Sequence, residues 1–251
     1  MSVDMDRFYR EEDLFPREFT GMTERPWGLL FHNRDNPDSF DSNHALLRRG
    51  LSADLSAALE EIRSFYRHFG AHPVIYQSIL DEGWFAQIAP ELEAAGFRCW
   101  EEEQRYMVLT SPSRIRPDPD IDVQRETAWQ DAFADQVFLA AGEPWEIPVL
   151  RRMLQSPGAI LFSARIREYV AGLIYGHVSA EGVCRVDYLL TAPAFRRRGV
   201  GRALVHAFAA HCRAADLPCF LWPDGETPRR IYEEAGWRET ESRMAGRASL
   251  K

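Results

Sequence analysis

Four arginines and two glycines occur within seven residues, at 196–202, where the sequence reads RRRGVGR. Apolar residues follow with helical spacing, so the pattern predicts a helix that opens at the glycines and ends near Asp216. The first N–H groups of a helix have no intrahelical partner, and the positive end of the helix dipole lies behind them. Glycines leave these groups accessible to an anion, and arginines pair with phosphate oxygens. The segment predicts a pyrophosphate-binding loop; the alternative is a basic turn that contains two glycines by chance.

This loop follows a series of predicted strands. Apolar runs separated by turn residues predict strands at 159–166, 171–178 and 183–190, and after the helix a strand at 218–222, a short helix closing at 232–237 and a last strand. Before these strands, helical spacing predicts a helix on the face formed by Trp129, Phe133, Val137 and Phe138. The short helix is predicted to have Thr227 as its N-cap and Pro228 at its first position. The order predicts an α/β fold in which helices flank a mixed, mostly antiparallel sheet.

The first half of the chain repeats this order of elements. It predicts a helix from 49 to about Phe69, a strand at 73–76, a helix closing at 92–97 and a strand that ends near Leu109. Between the halves, the segment 111–120 contains three prolines and no periodicity, which predicts a linker. We therefore predict two domains in tandem, 1–112 and 118–251, related by duplication. The alternative is two unrelated α/β stretches whose helices both end in Gly.

The motifs of the second half resemble those of the GNAT acetyltransferase superfamily. Its signature, R/Q-x-x-G-x-G/A after a strand and a short loop with Pro, is similar to DYLLTAPAFRRRGVG at 187–201. Its later Tyr-Glu-x-x-Gly-Phe-like motif is similar to YEEAGW at 232–237. The resemblance is strong from about Asp122 onward and weak over the first half. It implies a tandem GNAT protein with a degenerate N-terminal half.

The resemblance also implies an acetyl-CoA-dependent N-acetyltransferase, with acetyl-CoA as co-substrate. The end of the third strand would offer backbone groups to the pantetheine arm and the thioester carbonyl, through Leu189, Leu190 and Thr191. The loop would hold the pyrophosphate, through Arg196, Arg197, Arg198, Gly199, Val200, Gly201 and Arg202. Tyr232 matches the family's acid, which protonates the departing CoA thiolate.

Asp187 is the first candidate for the group that takes a proton from the attacking ammonium. It alternates along its strand with Leu189 and Thr191, so it projects to the same face as they do. Many relatives also carry Glu at this position. The alternative is a strand carboxylate paired with an arginine such as Arg185. A water chain could also take the proton, and the reserve candidates are Glu181 and Glu146.

Some positions depart from the family pattern. Relatives often carry Asn seven residues before the Tyr and Ala four residues before it, whereas this chain has Gly225 and Pro228. CoA contacts from this helix are therefore not expected to follow the family. In the repeat, Leu92 stands where Tyr232 stands and Ser52 replaces the second loop glycine. The first half is expected to lack a working cofactor site and to wall the acceptor pocket or pack against the active half.

Composition limits the remaining possibilities. The net charge is −8 and the arginines are scattered among more numerous acids, so no nucleic-acid partner is predicted. The four cysteines form no CxxC pair and show no metal-ligand spacing with His, so no metal site is predicted. No basic region followed by an apolar run opens the chain, and no apolar stretch is long enough to cross a membrane. These features predict a reduced, cytoplasmic setting without a membrane partner.

The predicted function is transfer of an acetyl group from acetyl-CoA to a primary amine of a small molecule. One alternative is a non-catalytic CoA-binding regulatory or scaffold protein. Another is an acetyltransferase that acts on a peptide N-terminus or on a thiol precursor. Loops that vary freely within a fold select the acceptor, so the sequence does not identify it. A monomer and a homodimer are both compatible with the sequence.

Overall fold

The computed structural model describes residues 4–50 and 54–251, and the chain divides into two compact units. The first unit comprises Met1–Gln104 and Ser242–Lys251, and the second comprises Arg105–Glu241. These limits differ from the predicted domains 1–112 and 118–251. The difference arises because the residues of two long strands, Phe97–Leu109 and Trp237–Leu250, are divided between the two units.

Helices and strands are interspersed along the described chain. Up to residue 109 they are α1 (Met5–Leu14), β1 (Gly21–Arg25), β2 (Gly28–His32), β3 (Ala45–Leu47), α2 (Leu55–Phe69), β4 (Val74–Gln77), α3 (Phe85–Ala94) and β5 (Phe97–Leu109). From residue 122 onward they are β6 (Asp122–Glu126), α4 (Asp131–Phe133), α5 (Leu139–Ala141), α6 (Glu146–Met153), β7 (Ala159–Ile166), β8 (Tyr169–Val178), β9 (Cys184–Thr191), α7 (Val200–Ala214), β10 (Cys219–Leu221), α8 (Glu226–Glu234) and β11 (Trp237–Leu250). A π-helical turn, Ala134–Phe138, joins α4 to α5. The predicted α/β fold with mostly antiparallel sheets is confirmed.

The two units share a pattern of strand pairing. The strand order is β1-β2-β3-β4-β11 in the first unit and β5-β10-β9-β8-β7-β6 in the second. The pairs given by register are antiparallel except β3 with β4 and β9 with β10, which are parallel. Beyond each parallel pair lies an antiparallel strand from the other half of the sequence: β11 pairs with β4, and β5 pairs with β10. Each sheet is thus completed by a strand exchanged between the halves.

Of two predicted helix starts, one lies partly outside the described residues and the other is wrong. The first-half helix was predicted to open at 49–52, but Leu51 and Ser52 lie outside the described residues. The described helix α2 begins after Asp54, whose carboxylate accepts a hydrogen bond from the backbone N–H of Ser56 at 3.0 Å. In α8 the prediction of Thr227 as N-cap is wrong, because the helix starts earlier and Gly225 is its N-cap. Proline fits any position of a first turn, where the N–H groups are unpaired in any case, so it does not mark the start to the residue.

The proline-rich segment 110–121 contains no helix or strand, as predicted, but it belongs to the second unit. The backbone N–H of Arg114 donates to the carbonyl of Glu234 at 2.8 Å. Ile115 is buried in the core of this unit. The segment therefore packs onto the second unit instead of serving as a free linker.

Helix α7 lies close against β8, and this contact fixes the start of the helix. Its predicted apolar side is buried: Val200, Leu204, Val205, Phe208 and Cys212. Two glycines of β8 make the approach possible, because a Cβ at Gly176 would come within 2.4 Å of the Phe208 ring and one at Gly172 within 2.9 Å of Val200. Larger residues at these positions would push the helix, and the glycine loop before it, away from the sheet.

The first unit contains a buried carboxyl group that makes its stability depend on pH. Asp13 accepts hydrogen bonds from the Ser78 hydroxyl at 2.5 Å and the Ile79 N–H at 3.0 Å. Burial raises the pKa of Asp13 to about 7, although these hydrogen bonds oppose the rise. The folded state therefore holds this proton more tightly than the unfolded chain, whose Asp has a pKa of about 3.9. The contribution of Asp13 is full below that value and is lost as the pH rises toward 7.

We expect Asp13→Asn to remove this part of the pH dependence. Urea unfolding at several pH values from 4 to 8 measures the free energy of unfolding of wild type and variant. The difference between the two free energies should change by up to about 1.4 kcal/mol per pH unit below pH 7, because the wild type loses stability as the pH rises. A difference that stays constant across this range would contradict the assignment.

Candidate active site

The glycine loop forms an open helix start, as the sequence predicts. Gly199 is the N-cap of α7 with φ of +85°, a left-handed conformation that glycine adopts without strain. Its carbonyl accepts from the N–H of Ala203 at 3.0 Å, so the first turn is regular. The N–H groups of the residues between them lack a helical partner and mark an anion site. A Cβ at Gly201 would lie 3.7 Å from the Thr191 hydroxyl, so the loop opens beside the end of β9.

The arginines of the loop differ in their surroundings. Arg196, Arg197 and Arg198 are exposed, and the Arg198 guanidinium lies 5.5 Å from the centre of the Phe195 ring. Arg202 instead forms an ion pair with Glu234 of α8. The exposed three can reach a phosphate without breaking an ion pair that the structure shows, whereas the Arg202 side chain would first have to leave Glu234. Of the phosphate contacts expected from Arg202, we therefore retain only the one from its backbone N–H.

Strand β9 separates from β10 along most of its length. The parallel pairing covers only Cys184 with Cys219 and Arg185 with Phe220. On its other side β9 stays paired with β8 up to Thr191 opposite Gly172. Among the described strands, none pairs with the β10-facing edge of 186–191. The backbone of Leu189, Leu190 and Thr191 is therefore free of a sheet ladder on that edge, as the expected pantetheine contacts require.

A bulge in β9 falls at Asp187. Gly176 lies opposite Val186 and Tyr175 lies opposite Tyr188, so Asp187 has no partner residue on β8. Bulges re-aim a side chain and are frequent next to active sites. The carboxylate of Asp187 accepts a hydrogen bond from the guanidinium of Arg185, which is buried. This ion pair is the contact that the sequence offered as the alternative to a catalytic role.

Tyr232 lies on α8 with only 6% of its surface exposed, and its ring meets Trp237 edge to face at 5.7 Å between centroids. Burial raises the pKa of Tyr232, and the charges of Cys219 and Asp187 raise it further. The phenol therefore keeps its proton at neutral pH, as a proton donor must. Because the charge of Asp187 contributes to the raised pKa of Tyr232, the two predicted catalytic residues lie near each other in the second unit.

Three carboxylates lie near enough to Tyr188, the neighbour of Asp187 on β9, to affect its pKa. Burial raises the pKa of Tyr188, followed by the charges of Glu146, Glu143 and Asp187. Glu143 accepts a hydrogen bond from the indole N–H of the exposed Trp145 at 2.8 Å. We call this group, Glu143, Glu146, Asp187 and Tyr188, the acidic wall.

Sequence reasoning found Glu146 only as a reserve base, and it missed Glu143 and Tyr188. The π-helical turn before Glu143 ends at Phe138, whose ring lies 5.6 Å from that of Tyr188. Such turns are frequent at functional sites but have no reliable sequence signal. The other reserve base, Glu181, lies in the turn before β9, at the end of the strand opposite to Thr191.

Residues 124–237 match the family model "Acetyltransferase (GNAT) family". The motifs that carry the candidate site, at 187–201 and 232–237, lie within the matched region. A search of curated proteins finds no match to the chain.

Solved structures extend the likeness to the fold of the whole chain. A GCN5-related N-acetyltransferase from Kribbella flavida has a TM-score of 0.70 at 16% identity, with 100% of this chain and 96% of that chain covered. A GCN5-related N-acetyltransferase from Sphaerobacter thermophilus has a TM-score of 0.55 at 17% identity, covering 96% and 85%. A tandem GNAT protein from the clavulanic acid biosynthesis pathway has a TM-score of 0.56 at 13% identity, covering 82% and 75%. These likenesses establish a GNAT-type fold, in tandem in the last of them.

Among the described helices, none is both long and apolar enough to cross a membrane.

Proposed function

We propose that the protein transfers an acetyl group from acetyl-CoA to a primary amine of a small molecule, directly and without an acetyl-enzyme. The observation that carries the proposal is the edge of β9 at 186–191, which pairs with no other described strand. This edge includes Asp187 and ends beside the open start of α7. Acyl transfer from a CoA thioester needs an anion site, a free backbone edge and a proton donor. The start of α7, the edge of β9 and Tyr232 on α8 can supply these three elements.

Each residue has one task in this reaction. The N–H groups of α7 and the exposed arginines hold the pyrophosphate, which fixes the thioester at the end of β9. A backbone N–H of the segment 189–191 stabilises the negative charge that develops on the carbonyl oxygen. The C–N bond forms as the C–S bond breaks, and Tyr232 gives its proton to the departing sulfur. Asp187 takes the proton that the ammonium loses before it attacks. The second proton, which the nitrogen releases when the amide forms, returns to the Tyr232 oxygen and restores the phenol.

The acidic wall supports an acceptor that carries positive charge. A primary amine is an ammonium ion at neutral pH, and carboxylates in a partly buried site attract it more strongly than they would in water. Glu143 and Glu146 can also hold a second cationic group while Asp187 receives the reacting one. The preferred acceptor class is therefore a small amine with a further positive charge and no carboxylate nearby.

A CoA-release assay over a panel of acceptors tests the proposal. The panel contains diamines, amines with one carboxylate, short peptides with free N-termini and aminothiols. We expect CoA release to be fastest with diamines. Fastest release with peptides or aminothiols would replace the proposed acceptor class, and acetyl-CoA binding without release on any acceptor would favour the non-catalytic alternative.

Glu146→Gln tests the acidic wall itself. We expect KM for a diamine to rise by about tenfold, because one attraction of about 1.4 kcal/mol is lost, while KM for acetyl-CoA stays constant. Asp216→Asn is the matched control, since it removes an exposed carboxylate just after α7, at a φ of +52° that Asn tolerates. Equal effects of the two changes would show that only the overall charge matters.

Asp187→Asn separates proton transfer from a structural role. We expect kcat/KM to fall by at least about 100-fold at pH 7, the usual effect of losing a general base. The loss should shrink as the pH approaches the pKa of the amine, because the acceptor then loses its proton in solution. A loss that is the same at every pH would mean that Asp187 serves only its ion pair with Arg185.

A further inference from the structure

Three of the four cysteines meet in the core of the second unit. Cys184 begins β9, Cys219 begins β10, and Cys212 lies near the end of α7. All three are fully buried, and their sulfur atoms lie within 4.8 Å of one another. We call this group the trithiol cluster. Nothing in the linear spacing indicates it, because three separate elements bring its members together.

The geometry of the cluster suits a single ion held by three thiolates. With a metal–sulfur bond of about 2.3 Å, three sulfurs around one ion lie about 4 Å apart. The sulfurs of Cys212 and Cys184 are 3.9 Å apart, and the third lies within 4.8 Å of both. Shifts of less than about 1 Å, within reach of χ1 adjustments, would bring all three into bonding distance of one ion.

The charge of the bound ion is limited by burial. A net charge in a dry core costs many kcal/mol unless it is compensated. Three thiolates leave a divalent ion with one negative charge and a monovalent ion with two. A trivalent ion gives a neutral complex. Among the described residues, His, Asp and Glu add no fourth ligand to this group.

We propose that the trithiol cluster is a binding site for one trivalent thiophilic ion, of which arsenic(III) is the test case. At neutral pH arsenite is the uncharged species As(OH)3. Three As–O bonds break and three As–S bonds form, and each thiol proton joins a departing hydroxide to give water. The step is balanced without an oxidant or a reductant. It differs from CoA binding in both its residues and its chemistry.

The position of the cluster gives the ion a structural consequence. Cys184 and Cys219 pair with each other in the short segment where β9 and β10 are hydrogen-bonded, before the two strands separate. An ion bonded to both, and to Cys212, would link the two strands and α7 covalently at that end. Because the cluster is fully buried, the ion enters only when this region opens locally, so binding is slow.

Native mass spectrometry of the reduced full-length chain with arsenite tests the site. We expect one arsenic per chain after long incubation, with X-ray absorption showing three sulfur neighbours and no oxygen. Cys184→Ala, Cys212→Ala and Cys219→Ala should each weaken binding by at least about 100-fold, because one of three bonds is lost. Cys99→Ala is the matched control and should bind like the wild type, since Cys99 lies outside the cluster.

The outcome does not depend on every variant folding. If an alanine variant melts below the assay temperature, the wild type and Cys99→Ala still test the proposal. In both, arsenic should have three sulfur neighbours, and arsenite should raise Tm. No arsenic on the reduced wild type would overturn the proposal. Unchanged binding by any folded variant that lacks a cluster cysteine would overturn it too, as would arsenic with fewer than three sulfur neighbours.

Discussion

Gly199→Glu should weaken the binding of acetyl-CoA by at least about 100-fold. The substitution places a carboxylate at the mouth of α7, where the pyrophosphate is proposed to lie, and like charges at such contacts cost several kcal/mol. Each 1.4 kcal/mol corresponds to a tenfold loss. The left-handed φ of +85° adds strain for any residue other than glycine. Isothermal titration of acetyl-CoA into wild type and variant measures the difference.

Gly182→Glu is the matched control for this experiment. Gly182 has a similar φ of +71° and open space around it, but it lies in the turn before β9, away from the loop. It introduces the same charge and comparable backbone strain, so it should leave the affinity unchanged. If the wild type binds acetyl-CoA and Gly199→Glu binds it with the same affinity, the pyrophosphate lies elsewhere. No binding by the wild type would remove the basis of the proposed enzyme.

Tyr232→Phe should lower kcat by at least about 100-fold and leave KM for acetyl-CoA nearly unchanged. The change removes only the hydroxyl, whose proposed task is to protonate the CoA sulfur, and general acids of this kind contribute about 10²–10⁴-fold. The ring stays in place, so its contact with Trp237 is kept. Steady-state CoA release measures kcat, and thermal unfolding checks that the fold is retained.

A second buried tyrosine provides the control. The Tyr66 hydroxyl donates to the carbonyl of Phe31 at 2.8 Å, within the first unit. Tyr66→Phe should therefore cost about 1 kcal/mol of stability without lowering kcat. If Tyr232→Phe behaves in the same way, its hydroxyl is structural and the proton for CoA must come from another donor.

Features that depend on local pattern were predicted well from the sequence. The glycine loop, helix α7 and the strands before it follow from residues close together in the chain. The N-cap at Gly199 and the buried face of α7 agree with prediction because capping and helical periodicity act over one or two turns. Strand β6 was missed because only Val123 and Glu126 of DVQRE are partly buried, so the sequence shows no apolar alternation and its charges resemble a loop.

Features that depend on a partner strand could not be predicted. The bulge at Asp187 exists only relative to β8, and the pairing of Arg202 with Glu234 requires α7 and α8 to be in place. Alternation along β9 predicted that Asp187 faces the site, but it did not predict the ion pair with Arg185. The trithiol cluster is invisible in the sequence for the same reason.

The exchange of β5 and β11 also sets the order in which the protein can fold as it is made. Domains on a ribosome fold as units, with synthesis at about 5–20 residues per second. The first unit needs β11, since Arg247, Ala248 and Ser249 pair with β4, yet these residues follow the whole second unit in the chain. Its sheet must therefore wait roughly 10 to 30 s with the edge of β4 open. The second unit has no such delay, because its exchanged strand, β5, is made before it. The half that emerges first is thus the half that finishes last, and it is the one that chaperones would have to guard.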